Sequence, residues 1–516
     1  VKSAAAKTAI LTWASAIGLT LHAGTDSTPP TILERIKARE TPTGVLWEAF
    51  CGSNAATMVY RDSLSLSKAE AIFDDKRSSR PVVAETGTGH TSYGVGAESY
   101  CRLSSLSAAW GNASYTRSTL RDIRLADAID YRIIGPYTLG DDAGGDMTSQ
   151  SYRFGGGWAR LYDRWSVGLS ATYRAETAHR TYDPRVRDVI SDLTIGGGGS
   201  FAFNDRWILG LNVDFTTYHQ DTDVKFVNPA NETITKVYTG LGSVYKRFGG
   251  NTATESAHTL TSFGIGLQWL PVTGRGLMAS VSAETARCAM YLRGFNNIRL
   301  GYTDTKSAAG RISLPVGLDG NFEIAPSVKA MYMKRTGTEN LFGTVSGGNY
   351  PVIGKRENYR LEVMDATVSI PIVWQREDRA VAATLSPSLG ACHTKEELIV
   401  PRRILEATHI VPGADAGVDL MFGGKTLLSI DAGYHLRATS SPEPVWGGLD
   451  AATPEGEAVI SGYEMLKARK QTFTLGAGIS RLIGRTVLGL DLVWSHDSIH
   501  RLATGDRLTA HISLSF

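Results

Sequence analysis

The sequence predicts an all-β protein: a transmembrane antiparallel β-barrel of about 18 strands, 16 if one hairpin is lost, with short periplasmic turns and long extracellular loops. Three observations carry this expectation. Strand-length segments alternate apolar and polar residues from about residue 63 to the end. Short and long connections alternate between them. Aromatic residues gather at two levels about a strand length apart.

Side chains on a strand alternate faces with period two. In "RWILGLNVDFTTY", Trp207, Leu209, Leu211, Val213 and Phe215 share one face, and Ile208, Gly210, Asn212, Asp214 and Thr216 share the other. "RWSVGLSATYRA", "TSFGIGLQWL", "KTLLSIDAGYHLR" and "TVLGLDLVW" repeat the pattern. The chain finishes on "GDRLTAHISLSF", with Leu508, Ala510, Ile512, Leu514 and Phe516 on one side. In a barrel that side meets lipid and its opposite lines the lumen. Phe516 is then expected to act as the C-terminal aromatic that the outer-membrane assembly machinery reads.

Hairpin turns are expected at residues 162–164, 204–206, 319–320, 423–425 and 483–484, where Gly, Asn and Asp supply turn conformations. Long polar stretches lie between the hairpins, at roughly 119–148, 177–192, 220–256, 336–360, 393–414 and 438–469. A barrel in a membrane has this asymmetry. The first strand is expected near 64–75 and the last at 507–516. The weakest segments are the first strand, 311–318 and 415–422. Tyr162, Trp165, Phe203, Trp207, Trp269 and Trp374 flank the short turns, and Tyr152, Tyr173, Tyr218, Tyr332 and Trp494 fall nearer the loops. Two such girdles suit the two bilayer interfaces.

Ahead of the strands, residues 1–23 carry Lys2 and Lys7, an apolar stretch at 9–21 and a small residue at Ala23. This is read as a secretory signal peptide cleaved after Ala23. Residues 24–62 are read as a periplasmic N-terminal extension or plug, irregular or in short helices, and 63–516 as the barrel. The expected location is the outer membrane of a Gram-negative cell.

Composition narrows function. Beyond the N-terminus no apolar run is long enough for a helical span. A net charge of +2 on 516 residues gives no footprint for nucleic acid. The cysteines Cys51, Cys101, Cys288 and Cys392 form no CxxC pair, which argues against a zinc or dithiol site, and the pairing of Cys288 with Cys392 stays open. His496 and His500 in "SHDSIH" are four apart at a strand end, where helical metal-ligand spacing has no meaning. No Gly-x-Ser-x-Gly elbow is present. "GRG" at 274–276 reads as a turn, and "IGGGGS" at 195–200 lacks the Lys of a phosphate loop. Four glycines in a strand instead thin the wall and suggest that another segment, such as an internal plug, comes close. No enzyme activity, metal or cofactor is expected.

With the apolar parity facing lipid, the inward charges are Glu98, Arg102, Asp214, Glu284, Asp365, Asp419, Asp431 and Asp491, with further bases at Arg153, Arg174, Arg311 and Lys329. They serve either to solvate a wide lumen through mutual pairing or as a ring that selects solutes.

The stretches "GHTSYGVGAESYCRLS", "WGNASY", "DYRIIGPYTLGDDAGGDM", "DPRVRDVISDL" and "KVYTGLGSVYKRFGG" resemble an uncharacterised family of outer-membrane β-barrels from Bacteroidota, a domain of unknown function. The resemblance spans about residues 50–516. It implies no catalytic residues. It implies company with TonB-dependent uptake systems, so a TonB-dependent transporter or a surface lipoprotein is an implied partner, beside outer-membrane lipid and the assembly machinery. Two functions remain open: a porin-like channel or accessory component in nutrient uptake, passing small solutes; or a non-transporting barrel whose outer loops dock a partner protein or surface ligand. A membrane-embedded hydrolase is a distant third.

Overall fold

The computed structural model describes residues 31–228, 234–250, 254–318 and 321–516, so the signal-peptide reading and the turn at 319–320 lie outside the described residues. Eighteen long antiparallel strands close into one barrel. The first, Leu66–Ser78, pairs with the last, Ala503–Ser515, in a register that sets Ala69 against Leu514 and Phe73 against Ala510. Ser67 and Phe516 exchange two backbone hydrogen bonds of 2.9 Å at this seam. Full closure leaves no unpaired edge, the condition for a sheet to sit in hydrocarbon.

The alternation in the sequence becomes two surfaces. Along Trp207–Lys225, Leu209, Leu211, Val213 and Phe215 are exposed on the outside, while Ile208 and Tyr218 are buried on the inside. Leu488, Leu490, Leu492 and Trp494 continue the outer band on Thr486–Ile499, and Leu508, Ile512, Leu514 and Phe516 carry it to the chain end. A closed barrel clad in an apolar band places the protein in the outer membrane. Among the described residues no helix is long and apolar enough to cross a membrane.

The loop boundaries differ from expectation in three places. The stretch 177–192 is mostly strand, since Trp165–His179 and Arg185–Ala202 leave only 180–184 between them. Likewise 336–360 shrinks to a loop at 343–351, and 393–414 to 399–402. The cause is strand length. At 15–20 residues these strands exceed the 9–11 needed to span the bilayer, so their outer ends extend beyond it and mix polar residues into both faces. Polarity therefore does not separate wall from loop. Residues 311–313 end the strand Ile298–Ser313, and 415–422 end Arg403–Phe422. One girdle assignment also changes: Tyr218 points inward and is 1 % exposed.

Two bodies fill the barrel ends. At the short-turn end, the N-terminal residues form helices Ile32–Glu40 and Pro42–Gly52 and a 3-10 turn, Ala55–Tyr60. Each start has a side-chain cap: Thr31 forms a capping box with Glu34, Thr41 accepts from the Gly44 amide with Pro42 at the first helical position, and Asn54 accepts from the Ala56 amide. At the loop end, Tyr137–Gly140, Lys236–Gly240 and Ser243–Gly249 make a three-stranded sheet, joined by the helix Pro454–Lys467. The dry clusters lie in these ends. Leu46 and Phe50 pack on Ile208, Leu270 and Met278, while Tyr137, Leu139, Val237 and Phe248 pack on Met290, Leu292, Leu300 and Phe342. All four cysteines are free.

Candidate functional site

The N-terminal segment sits against the inner wall because the wall there has no side chains and the next residues offer hydrogen bonds. Gly168 and Gly198 face each other across adjoining strands on the lumen side. A Cβ on Gly168 would lie 2.3 Å from the Ala55 carbonyl carbon, and one on Gly198 would lie 1.9 Å from Asn54 Oδ1. Around this flat patch, wall side chains donate to carbonyls of the segment. Ser166 Oγ donates to Ala56 (2.8 Å), Gln268 Nε2 to Phe50 (2.7 Å) and Tyr100 Oη to Met58 (3.0 Å), and the Arg102 guanidinium donates to Val59. Asn54 Nδ2 donates back to the Leu211 carbonyl at 3.3 Å. Burial in a barrel mouth would otherwise strand these polar groups.

The loop at 124–144 enters the lumen from the other end. Its short helix Tyr131–Ile134 places Ile134 against Ile190, Tyr218 and Cys288 of the wall. Asp130 accepts from Arg174 Nη2 at 2.5 Å and from Tyr218 Oη at 3.0 Å. The Ile129 amide donates to Asp188 (3.1 Å), His258 Nε2 lies 2.9 Å from the Tyr137 carbonyl, and Arg335 Nη1 donates to the Gly135 carbonyl at 2.9 Å. Above these contacts Arg180 is sealed between Asp127, at 3.1 Å, and Asp141, all three at most 1 % exposed at the side chain. Burial, with Asp141 close by, drives the Asp127 carboxyl well above the ordinary range. Lys236 then ties the inner sheet to this loop through Asp142 and to the helix Pro454–Lys467 through Glu455, each at 2.6 Å.

Between the loop and the wall lies a cavity of about 270 Å³. Its lining is mixed: Arg132 and Arg335, Asp192 and Glu284, the hydroxyls of Thr216, Tyr218, Ser262, Thr305 and Ser307, and the apolar Ile133, Leu260 and Ala286. Arg132 and Glu284 have no ion pair or side-chain hydrogen bond among the described residues, so both are available to a guest.

The other inward charges divide into distinct settings. Glu98 sits opposite Lys68. Arg102 clamps the N-terminal segment. Asp214 accepts from Asn212 Nδ2 at 2.7 Å. Asp365 lies opposite Cys392. Asp419 accepts from Ser429 Oγ at 2.7 Å. Asp431 and Asp491 lie over glycines of adjoining strands, with Cβ positions on Gly417 and Gly478 each 2.4 Å from the respective carboxylate oxygen. Asp419, Asp431 and Asp491 all act on Glu40 at the tip of the first helix. Burial first, and then these carboxylates, push Glu40 up to about 7. Of the acids named from sequence, only Glu284 lines the cavity. The residues that hold the inward loop (Asp127, Asp130, Asp141, Arg180 and Arg335) were not singled out by sequence. Nothing in a polar loop says which way it folds. His496 pairs with Asp506 at 2.9 Å on the outer surface, and no metal-ligand cluster occurs among the described residues.

A family described only as of unknown function (DUF6850) matches residues 55–516. No protein of curated function matches. Similar solved structures include the ferric preacinetobactin receptor BauA from Acinetobacter baumannii (6 % identity, 88 % of this chain and 80 % of that one, TM-score 0.37), the copper transporter OprC (8 %, 87 % and 80 %, 0.39) and the monoaromatic hydrocarbon channel CymD (9 %, 89 % and 90 %, 0.29).

Proposed function

The chain belongs to that family of unknown function, and we propose that it is a gated outer-membrane channel for small polar solutes, held shut in the state described. The N-terminal segment is its periplasmic plug and the loop at 124–144 its outer constriction. The cavity between that loop and the wall is the solute's station. One observation supports this reading: two bodies in the bore hold to the wall by hydrogen bonds and ion pairs, and a cavity of about 270 Å³ with an uncommitted arginine and carboxylate lies between the inner loop and the wall. Its size is at the lower end of small-molecule pockets. Structural filler would favour a dry, apolar core over an arginine and a carboxylate left without partners.

Arg180→Met tests the outer constriction. It leaves Asp127 and Asp141 buried without their cation, a change that costs about 3–5 kcal/mol when a buried pair is broken. In planar bilayers the wild type is expected to conduct rarely, and the variant to show frequent stepwise openings. A folded Arg180→Met barrel as silent as the wild type would refute the channel reading.

A second reading has its own observation. The loop at 343–351 and the strand start after it expose apolar side chains, with Val345 at 45 %, Val352 at 50 % and Ile353 at 73 %. A partner such as a surface lipoprotein or a TonB-dependent transporter would dock there. Stoichiometric co-purification lost on Ile353→Asp, with silent bilayers throughout, would favour this reading.

A further inference from the structure

The outer wall carries a row of charges that the lumen does not explain. On the strands from Met278 to Phe422 the register runs Thr285, Lys306, Lys334, Glu362, Lys395, Glu406, each directly opposite the next. Parity puts the whole row on the lipid side, the face that shows Val281, Ile312, Val328, Tyr332, Met364, Leu389 and Ile410. Toward the membrane centre the next row holds Ala308, Tyr332 and Met364 and ends on the hydrogen-bonded pair His393 and Thr408, and the rows below are apolar, with Ala330, Ala366 and Ile410, then Ile312, Val328, Val368 and Leu389. The charges therefore begin where the apolar band ends, on the loop side. That is the headgroup level of the outer leaflet.

Within the row, Lys334 pairs with Glu362 at 2.7 Å and Lys395 with Glu406 at 3.6 Å. One row higher, Arg287 pairs with Asp304 at 2.7 Å. Lys306 has no partner among the described residues. It lies directly opposite Lys334, a like-charge arrangement that destabilises a sheet unless an anion is supplied. Lys306 and Lys395 stand three strand spacings apart, about 14 Å, with Lys334 between them. By contrast, the outward face of the strands between Thr426 and Ser515 carries at its loop end only His496 and Asp506, which satisfy each other.

We propose that Lys306, Lys334 and Lys395 form a binding site for the phosphate-bearing headgroup of an outer-leaflet glycolipid, with its acyl chains lying on the apolar rows beneath. The site requires the outer-membrane location and is independent of whether the lumen conducts. Lys306 supplies the uncommitted charge. Lys334 and Lys395 keep their carboxylates and turn remaining N–H donors to phosphate oxygens, since an ammonium has three. The lipid, and not free phosphate, is the ligand, because the apolar rows directly below hold the rest of the molecule.

The test titrates the full-length barrel in detergent with phosphorylated lipid A and counts retained lipid by native mass spectrometry. The wild type is expected to keep the lipid. Lys306→Gln with Lys334→Gln and Lys395→Gln is expected to lower retention about tenfold or more, given the usual contribution of a lysine at an anionic surface. Lys306→Gln alone breaks no protein contact and is expected to lower it severalfold. Lipid A stripped of phosphate should bind the wild type as weakly as the triple variant, and inorganic phosphate at matched concentration should not compete. Equal retention by wild type and triple variant, or by phosphorylated and stripped lipid, would overturn the proposal. Full competition by inorganic phosphate would reduce the site to one for small anions and overturn it as well. Heat-modifiable mobility on gels reports folding of each variant.

Discussion

Gly168 and Gly199 are close in space and opposite in consequence, which makes them a sharp test of how the N-terminal segment is held. Gly168 faces the lumen. A Cβ there would lie 2.3 Å from the Ala55 carbonyl carbon, 2.5 Å from its oxygen and 2.5 Å from the Ala56 amide nitrogen. These are backbone atoms, so no rotamer relieves the overlap. Gly199 faces lipid, and its Cβ would meet only the Ser166 carbonyl oxygen at 3.9 Å. Gly168→Leu must therefore push the segment off the wall by more than 1 Å, breaking the Ser166–Ala56 hydrogen bond and spoiling its neighbours. Overpacking of this kind costs about 1–3 kcal/mol, and lost hydrogen bonds add about 1 kcal/mol each. A net cost near 3 kcal/mol shifts the seated-to-released equilibrium by about two orders of magnitude. Limited trypsin digestion reads this shift, since Arg35, Lys37, Arg39 and Arg61 all lie on the segment. When opening is fast, the cleavage rate follows the released population. Gly168→Leu is expected to be cut about a hundredfold faster than wild type, and Gly199→Leu at the wild-type rate. Equal protection of Gly168→Leu and wild type would show that the segment does not depend on this flat patch.

Glu40 titrates near neutrality when the segment is seated, raised from 4.5 to about 7. A raised carboxyl favours the seated state while protonated. Its contribution is full below the unfolded value and is lost as pH rises from 4.5 through about 7. Fully expressed, such a shift is worth about 3 kcal/mol, and screening by the lumen water that reaches Glu40 lowers this to about 1 kcal/mol. Trypsin protection of the wild type is expected to weaken from pH 5 to pH 8, and Glu40→Gln to remain protected throughout; a wild type without pH dependence would count against this. For the wall, Leu490→Arg is expected to impair assembly into membranes by about 2–4 kcal/mol, as a basic residue facing the hydrocarbon does, while Asp491→Ala folds normally. Equal heat-modifiable folding of both would reverse the facing of that strand.

The wall was legible in sequence because one physical rule writes it everywhere. Leu209 to Phe215 must face lipid, and the residues between them must not. The closing strand, with Ile512 and Leu514 outward, needed no more than parity. The glycine run at 195–200 also read correctly as a place of close approach, since Gly198 lies against Asn54. The contents of the lumen were far less legible. Asp127, Asp141 and Arg180 are buried only because a loop turns inward, and their sequence context is that of an ordinary polar loop. Tyr218 fell among the girdle aromatics for the same reason: its hydroxyl serves Asp130, which sequence places 88 residues away. Loop limits failed where strands outrun the membrane, because the outer face there meets water and the inner face meets packed loops, which erases the period-two signal.

The hydrogen bonds that seat residues 50–59 come from Tyr100, Arg102, Ser166, Leu211 and Gln268, all on strands that precede residue 272. Both helices also reach the later wall, where Leu33 packs on Leu427 and Val487, Leu46 and Phe50 pack on Met278 and Ala325, and the Thr43 hydroxyl donates to Glu323. The early hairpins thus cradle residues 50–59, and the later strands complete the seat of the two helices. A nascent, still open sheet can thus take up one end of its own stopper, and the strands that follow close on the two helices.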